Sequence, residues 1–497
     1  MEPEHVDVLI VGAGLSGIGA AWHLQKRCPG KTYAILEARD SIGGTWDLFR
    51  YPGIRSDSDM HTLGYRFRPW GEAKSIADGP SILRYIRDTA REAGIEERIR
   101  FRHRVVAASW SSESSHWTVE AEREGGERVT MTCDFFFVCS GYYRYDRGYT
   151  PELPGAERFQ GELIHPQHWP EDLDYEGKRV VVIGSGATAV TLVPAMAERA
   201  AKVTMLQRSP TYVISMPAED PLAKALRKVL PSRAVYPIVR WKNVLLQMAN
   251  YQLSRKRPEL VKRFLRRGLE RHLPPGYDID THFKPRYNPW DQRLCLVPDA
   301  DLFRAIRSGR AGVVTDRIST IVEDGIELES GRKLEADVIV TATGLELLFL
   351  GGMKVSVDGE EVDLSKCFTY KGMMLDRVPN MAFTIGYTNA SWTLKADLVA
   401  EYVCRLLNHM DAHGYTRCAP VADDPSITEE PLLDFTSGYV LRALDRLPKQ
   451  GSKEPWKLRQ NYPLDLRTLR FGPLEDGVMR FSRAPAAERA PEPALTK

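Results

Sequence analysis

Two copies of a strand, a glycine-rich turn and a helix constrain this chain more than any other feature of its sequence. In the first copy, the hydrophobic run 6–11 leads into Gly12, Gly14 and Gly17, and an apolar helical pattern follows. The first glycine permits a tight turn, the second lets a pyrophosphate approach the backbone, and the third lets helix and strand pack closely. A second hydrophobic run ends at Glu37, whose carboxylate can accept from ribose hydroxyls. This copy predicts a dinucleotide site.

The second copy has the same order of elements. Residues 179–183 form its hydrophobic run, and Gly184 and Gly186 follow directly. Ala189 stands in place of the third glycine, a replacement that the pattern tolerates. The turn places Thr188 in the first turn of the predicted helix, where free backbone N–H groups and the helix dipole favour anions. This copy predicts a second dinucleotide site.

The two copies differ at the end of their second strands. Arg208 and Ser209 stand where the first copy has Glu37. A cation there can pair with the 2′-phosphate of NADPH, whereas an acid would repel it. The first site is therefore predicted to hold a cofactor with free ribose hydroxyls and the second NADPH, with a solvated strand-end cation as the alternative interpretation of Arg208. Two such sites predict an α/β flavoprotein with two Rossmann-like domains that takes hydride from NADPH.

Composition excludes several other classes. The 497 residues are 43% hydrophobic with a net charge of +2, which is typical of a globular protein and favours no nucleic-acid partner. Seven cysteines without paired spacing indicate reduced thiols, and the N-terminus is acidic, so we expect a cytoplasmic protein without a secretion signal. Two uncharged stretches, 8–25 and 180–197, reach the length of a membrane span, but both fit strand, glycine turn and helix better.

The middle of the chain has a different character. From residue 224 to 271 there are 14 Lys and Arg against two acids, and the apolar spacing over 235–251 and 260–273 is helical. This predicts a helical insert. A basic amphipathic insert can attach weakly to anionic lipid as a peripheral membrane segment, form a solvated face or attract NADPH, and these alternatives stay open. The predicted order is FAD domain (1–145), NADPH domain (146–212), insert (213–290), NADPH domain (291–345), FAD domain (346–483) and disordered tail (484–497).

A short segment between the two nucleotide units carries a more specific pattern. Phe159, Gly161, His165 and Trp169, followed by a proline, match the pattern FxGxxxHxxxW[P/D]. The chain here resembles the Baeyer–Villiger monooxygenases that use FAD and NADPH, and the wider sequence is similar to their ethionamide-activating subgroup. We interpret His165 as a hydrogen-bonding link between domains. His168 lies three residues on, but the intervening proline and the lack of a third ligand lead us to expect no metal site.

Two further segments extend the resemblance. Residues 43–57 match GGxWxxxxYPGxxxD, with Gly44 and Trp46 predicted beside the flavin and Asp57 at the end of the pattern. By position in the segment 287–293, Arg293 is the family cation that stabilises a negatively charged adduct, and the resemblance implies that Asp57 pairs with it. A structural ion pair for Arg293, a turn-capping role for Asp57 and plain core packing for Trp46 are the alternatives.

The resemblance also covers a loop near the end of the chain. Asn389 precedes a helix predicted over 393–408, and in related proteins such a loop approaches the flavin ring. Strands predicted over 135–139 and 338–340 each end in small residues, which let the chain pass close to a bound cofactor.

The resemblance implies an activity. In the family, a C4a-peroxyflavin formed with O₂ attacks a ketone and yields an ester or lactone, and thioethers or thioamides are oxidised at sulfur. The alternatives are a heteroatom flavin monooxygenase, which carries Tyr or Phe where this chain has Trp169, and a non-catalytic sensor that binds the two cofactors. A flavin disulfide reductase is excluded because residues 29–132 contain no cysteine pair. The substrate and the oligomeric state are not specified.

Overall fold

The computed structural model describes residues 3–433 and 435–483. The disordered tail predicted over 484–497 lies outside the described residues. In chain order the strands are β1 (Glu4–Val11), β2 (Tyr33–Leu36), β3 (Ile99–Arg100), β4 (His103–Ser111), β5 (His116–Arg123), β6 (Arg128–Val138), β7 (Glu162–Ile164), β8 (Arg179–Ile183), β9 (Lys202–Gln207), β10 (Val213–Met216), β11 (Cys295–Pro298), β12 (Ala311–Thr315), β13 (Ile318–Val322), β14 (Gly325–Leu328), β15 (Lys333–Glu335), β16 (Val338–Thr341), β17 (Lys354–Val357), β18 (Glu360–Glu361), β19 (Thr369–Tyr370), β20 (Met374–Leu375), β21 (Met381–Phe383), β22 (Arg417–Pro420), β23 (Glu429–Pro431), β24 (Lys449–Gly451) and β25 (Met479–Ser482).

The helices occupy the connections between these strands. They are α1 (Leu15–Arg27), α2 (Thr45–Leu48), α3 (Met60–Leu63), α4 (Gly79–Glu92), α5 (Ala187–Met196), α6 (Pro221–Leu226), α7 (Ser232–Lys256), α8 (Pro258–His272), α9 (Ile279–His282), α10 (Asp301–Arg307), α11 (Trp392–His413), α12 (Gly438–Leu441) and α13 (Tyr462–Asp465).

The larger sheet has the order β18-β17-β4-β5-β6-β1-β2-β3. Strand β1 runs parallel to both β2 and β6, so the first glycine turn lies at the carboxyl ends of parallel strands. Strand β6 pairs with β1 along one edge, and its other edge has two partners: residues 128–133 pair with β5 and residues 136–138 pair with β21. Helices α1 and α11 pack together on one face of this sheet.

The smaller sheet is wholly parallel. Its order is β12-β9-β8-β16-β7, and β8 leads into the second glycine turn and α5. Helices α5 and α10 pack in the core on one face, where Val182, Leu192 and Phe303 are fully buried. Each of the two sheets has a glycine turn at the carboxyl ends of parallel strands and forms a Rossmann-like unit, which confirms the predicted α/β fold class.

Residues 213–290, which the sequence predicts to be a helical insert, contain strand β10 and helices α6 to α9. The long helix α7 buries Val235, Val239 and Val244 against the rest of the protein. The side chain of Arg240 is buried too, and its guanidinium donates to the backbone carbonyls of His61 (2.7 Å) and Gly64 (2.8 Å). The insert is therefore fixed to the segment that contains α3.

Candidate active site

A cavity of about 1670 Å³ is lined by the glycine turns of both sheets. The sequence-predicted residues that line it are Gly12, Gly14, Glu37, Gly44, Trp46, Asp57, Gly184, Gly186, Thr188, Arg208, Ser209 and Arg293. The others lie outside its lining: Gly17, Asn389, Phe159, Gly161, His165 and Trp169. The fold thus brings the two nucleotide turns and the Arg293–Asp57 pair together around one space.

The first glycine turn is shaped by close backbone packing. Gly12 has φ +100°, and a Cβ built there would lie 2.6 Å from the carbonyl oxygen of Cys139. A Cβ at Gly17 would overlap the carbonyl oxygen of Gly12, so the third glycine allows α1 to pack on the turn. Gly14 is the N-cap of α1 and borders the cavity. The start of α1 is therefore open to an anionic group.

Glu37 ends β2 at the same edge. Its Oε2 accepts from the backbone N–H of Ala13 (2.7 Å) and its Oε1 from that of Arg39 (2.9 Å). Burial raises the pKa of this carboxyl group. Each carboxylate oxygen keeps a second lone pair, and Glu37 lines the cavity, so this group can accept from ribose hydroxyls. Gly44 lies across the turn, with its would-be Cβ 3.2 Å from the Cα of Gly14. These residues fit the sugar and phosphates of a dinucleotide.

The second glycine turn repeats this geometry. Gly184 has φ +138°, and a Cβ there would overlap the carbonyl oxygen of Ala342. Gly186 is the N-cap of α5, and a Cβ there would meet no protein atom within 4 Å. The space over the start of α5 is therefore open, which fits a phosphate group. Thr188 lines the cavity in the first turn of the helix.

Arg208 follows β9 at the rim of the cavity. It is exposed, and among the described residues no carboxylate forms an ion pair with it. The carbonyl oxygen of Ser209 accepts from the hydroxyl of Ser185 (3.1 Å), which joins this segment to the glycine turn. Arg317 also lines the cavity, a cation that the sequence pattern did not reveal because it lies far along the chain. A guanidinium at this rim suits a phosphate on the ribose.

Arg208→Ala is expected to raise the KM for NADPH by about 10- to 100-fold, because a hydrogen-bonded charge contact contributes roughly 1.5–3 kcal/mol. The KM for NADH should stay nearly constant, since NADH lacks the 2′-phosphate. Steady-state NADPH and NADH oxidation measures both. Arg310→Ala is the matched control, because Arg310 is exposed and lies outside the cavity lining. Equal changes for the two nucleotides would contradict this role.

Arg293 and Asp57 form an ion pair in the cavity, although they are far apart in the sequence. One guanidinium nitrogen of Arg293 pairs with the Asp57 carboxylate, and another donates to the carbonyl oxygen of Thr388 (2.9 Å). Burial lowers the pKa of Arg293 and the charge of Asp57 raises it, and the net shift is upward. The guanidinium therefore stays charged and has two fixed contacts that orient it.

Three tyrosines near this pair were missed by the sequence analysis. The hydroxyls of Tyr142 and Tyr143 lie 3.4 Å apart, and both side chains line the cavity with Tyr439. Burial raises the pKa of all three well above the ordinary value, so the hydroxyls are neutral donors. Their sequence signal was slight: Tyr142 and Tyr143 follow the small residues at the end of β6. They add neutral hydrogen-bond donors beside Arg293.

His165 connects the two segments predicted for the NADPH domain. Its Nδ1 accepts from the backbone N–H of Gln167 (3.2 Å), and its Nε2 therefore carries the proton and donates to the carbonyl oxygen of Gly344 (3.1 Å). Burial lowers the pKa of the ring, which favours this neutral form. Both ring nitrogens are occupied, and the bond to Gly344 joins the segments 146–212 and 291–345 of the predicted NADPH domain instead of two domains. Trp169 packs edge-on against Tyr175, with ring centroids 6.5 Å apart.

The rest of the segment packs beneath the smaller sheet. Phe159 is half-buried against the hydrophobic cluster under β8 and β16. A Cβ at Gly161 would overlap the carbonyl oxygen of Asp337, so the chain passes close to the start of β16 at this point. These two residues fix the path of the connection between the sheets.

The loop before α11 differs in detail from the expectation. The side-chain amide of Asn389 donates to the carbonyl oxygen of Gln460 (2.9 Å), and the residue lies outside the cavity lining. Trp392, which the sequence also suggests beside the flavin, borders the cavity, and its Nε1 donates to the hydroxyl of Ser16 at the start of α1 (2.7 Å). The loop thus reaches the first nucleotide turn through Trp392, while Asn389 fixes the loop to the C-terminal segment.

Among residues 3–433 and 435–483, no group of three or more His, Cys, Asp or Glu side chains is arranged to hold a metal ion. None of the helices in these ranges is long and apolar enough to cross a lipid bilayer.

Known proteins share this sequence and fold. Residues 76–373 match the family described as "Flavin-binding monooxygenase-like", and residues 10–77 match "NAD(P)-binding Rossmann-like domain". "FAD-containing monooxygenase EthA" of Mycobacterium tuberculosis is 58% identical over 484 residues, which cover 97% of this chain and 99% of that protein.

Solved structures resemble the chain at lower identity. "Oxidized steroid monooxygenase bound to NADP" has a TM-score of 0.75 at 21% identity and covers 96% of this chain and 100% of its own. A cyclohexanone monooxygenase from Rhodococcus sp. Phi1, solved with NADP⁺, has a TM-score of 0.72 at 20% identity, over 85% of this chain and 87% of its own. These structures share the fold of two dinucleotide-binding units, and the sequence matches go further: the chain belongs to the flavin-binding monooxygenase-like family.

Proposed function

We propose that this protein is an FAD- and NADPH-dependent Baeyer–Villiger monooxygenase, which uses O₂ to convert ketones to esters or lactones and also oxidises thioethers or thioamides at sulfur. The observation that carries the proposal is the Arg293–Asp57 pair in a cavity shared by two glycine turns. The name of the mycobacterial relative and the titles of the solved structures support the two cofactors and the oxygenation.

The cofactors divide between the two sheets in this proposal. The segments 1–145 and 346–483 hold FAD, the segments 146–212 and 291–345 hold NADPH, and 213–290 is the insert. Glu37 accepts from the FAD ribose, whereas Arg208 pairs with the NADPH 2′-phosphate. Once bound, NADPH would supply hydride to the flavin, and the reduced FAD would activate O₂, which is the source of the inserted oxygen atom. The protein residues then bind, orient and stabilise charge.

Arg293 stabilises the reaction in this proposal. Negative charge develops on the oxygen of a ketone when a nucleophile attacks its carbonyl carbon, and a fixed cation lowers the free energy of that state. Asp57 and the carbonyl of Thr388 hold the guanidinium in place, so little reorganisation is needed. The neutral hydroxyls of Tyr142 and Tyr439 can donate to the same oxygen or orient the substrate.

The heteroatom flavin monooxygenase is the second candidate. Sulfur and nitrogen are oxidised without a carbonyl adduct, so such an enzyme has less need of a fixed cation. Arg293 in the cavity and Trp169 in the linking segment therefore favour the ketone reaction. A cofactor-binding sensor would not require the paired guanidinium either.

Product analysis tests the proposal. The purified flavoprotein is incubated with NADPH, O₂, linear and cyclic ketones and an aryl methyl sulfide, and products are identified by mass spectrometry. Esters or lactones are the expected products. Sulfoxide alone would replace the proposal with the heteroatom class, and cofactor binding without oxygen consumption would replace it with the sensor.

A further inference from the structure

The insert exposes an unusual number of large apolar side chains. Of the fifteen exposed large hydrophobic residues in the described parts of the chain, ten lie between residues 222 and 264. Phe264 is 68% exposed and Val229 77%. We define the insert face as Val229, Leu230, Ile238, Trp241, Leu245, Leu246, Leu253, Leu260 and Phe264, together with the basic side chains among them. Such a concentration of apolar surface indicates a binding partner.

Helix α7 shows why these side chains are exposed. Ile238, Trp241 and Leu245 are three and four residues apart, so they share one side of the helix. The other side is fixed to the protein: the hydroxyl of Tyr236 donates to the carbonyl oxygens of Gly64 (3.2 Å) and Tyr65 (3.0 Å). The helix cannot turn its apolar side inward without breaking these buried contacts.

The insert face is also strongly basic. Six exposed basic residues lie within or beside it, and none has a carboxylate partner among the described residues: Lys228, Arg233, Lys256, Arg257, Arg263 and Arg267. The two acids between residues 224 and 271 are already paired, Glu259 with Lys262 (2.8 Å) and Glu270 with Arg266 (3.0 Å). The face thus combines unpaired positive charge with exposed apolar surface.

One partner satisfies both properties. Acyl chains can cover the apolar side chains while anionic headgroups pair with the cations, as amphipathic basic helices require. A second copy of the same face would bring like charges together, and a nucleic acid would leave the aliphatic side chains in water. We propose that the insert face binds the surface of an anionic phospholipid bilayer. The binding is peripheral, and it goes beyond the proposed oxygenation chemistry.

Vesicle sedimentation of the full flavoprotein tests this proposal. Vesicles of phosphatidylglycerol and phosphatidylcholine should carry the protein into the pellet, whereas vesicles of phosphatidylcholine alone should carry much less. Added salt should weaken the binding because headgroup attraction is screened. Equal sedimentation with both vesicle types, or none with either, would overturn the proposal.

Variants separate the two contributions. The double variant Arg263→Gln/Arg267→Gln should bind the anionic vesicles about 30-fold more weakly, since each cation near such a surface contributes a factor of roughly five. Trp241→Ser/Phe264→Ser should also bind more weakly, through lost apolar contact. Lys354→Gln/Lys366→Gln, exposed cations outside the face, is the charge control and should bind like wild type.

Controls on the fold of each variant make the vesicle experiment conclusive. Bound FAD and NADPH oxidation report the fold of each variant, and both should match wild type because none of these residues lines the cavity. Unchanged binding in folded face variants would overturn the proposal. Sedimentation velocity that shows a wild-type dimer, lost in the Trp241→Ser/Phe264→Ser variant, would assign the face to self-association and overturn it as well.

Discussion

Replacing Arg293 by alanine is expected to lower ester or lactone formation by about 100-fold or more, because loss of one well-placed donor to developing negative charge costs roughly 2.7–4 kcal/mol. The nucleotide turns are left intact, so NADPH should still reduce the flavin. Oxygen consumption should then continue without ester, with hydrogen peroxide released. Product yield per NADPH, measured beside peroxide, checks the prediction.

Two variants sharpen this test. Arg293→Lys keeps the charge but loses the planar fork that contacts both Asp57 and Thr388, so it should recover only part of the activity. Arg310→Ala removes an exposed arginine outside the cavity and should behave like wild type. If Arg293→Ala forms ester at a rate close to wild type, Arg293 has only a structural role.

Gly12→Ala is expected to remove most of the bound FAD and to lower stability. Backbone strain at φ +100° costs about 1–3 kcal/mol, and the Cβ, 2.6 Å from the carbonyl oxygen of Cys139, adds a similar amount. The turn must shift, and the start of α1 moves with it. Flavin absorbance per mole of purified protein and the thermal unfolding midpoint measure the two effects.

Gly94→Ala is the matched control for backbone conformation. Gly94 also has positive φ (+63°), but a Cβ there meets no atom within 4 Å. Gly94→Ala should lower the free energy of unfolding by only about 1–2 kcal/mol, the cost of placing alanine in the left-handed conformation. The FAD content of this variant should be normal. If Gly12→Ala keeps a normal FAD content, the close packing of the first turn against Cys139 is not needed for FAD binding, and the prediction is wrong.

The sequence predicted the regular elements best where local chemistry determines them. The strand predicted over 179–183 has those bounds in the structure, because a buried parallel strand next to a glycine turn is a continuous hydrophobic run. Strand β6 begins at Arg128, earlier than the predicted 135, because its first half alternates and pairs antiparallel with β5. Helix α11 extends to His413, beyond the predicted 408, and ends at Gly414 in the left-handed conformation.

The residues of the site could be predicted only where they lie in a recognisable sequence motif. Arg293 and Asp57 came from motif positions, and the structure brings them together as a pair. Tyr439 follows no motif, and only the packing of distant segments brings it to the cavity. Asn389 lies in the expected loop, but the direction of its side chain depends on Gln460, which no local pattern connects to it.

One edge of β6 is shared by β5 and β21, and this affects the order in which the chain can fold on the ribosome. Every strand of the smaller sheet lies within residues 162–341, so that sheet can close once this stretch has emerged. The carboxyl half of β6 can pair with β1 early, but its other edge has no partner until β21 (Met381–Phe383) has been synthesised, and α1 likewise lacks α11 until then. The larger sheet, whose first strands are synthesised first, is therefore completed only by residues after 380. By then all strands of the smaller sheet have been synthesised, so that sheet can fold earlier.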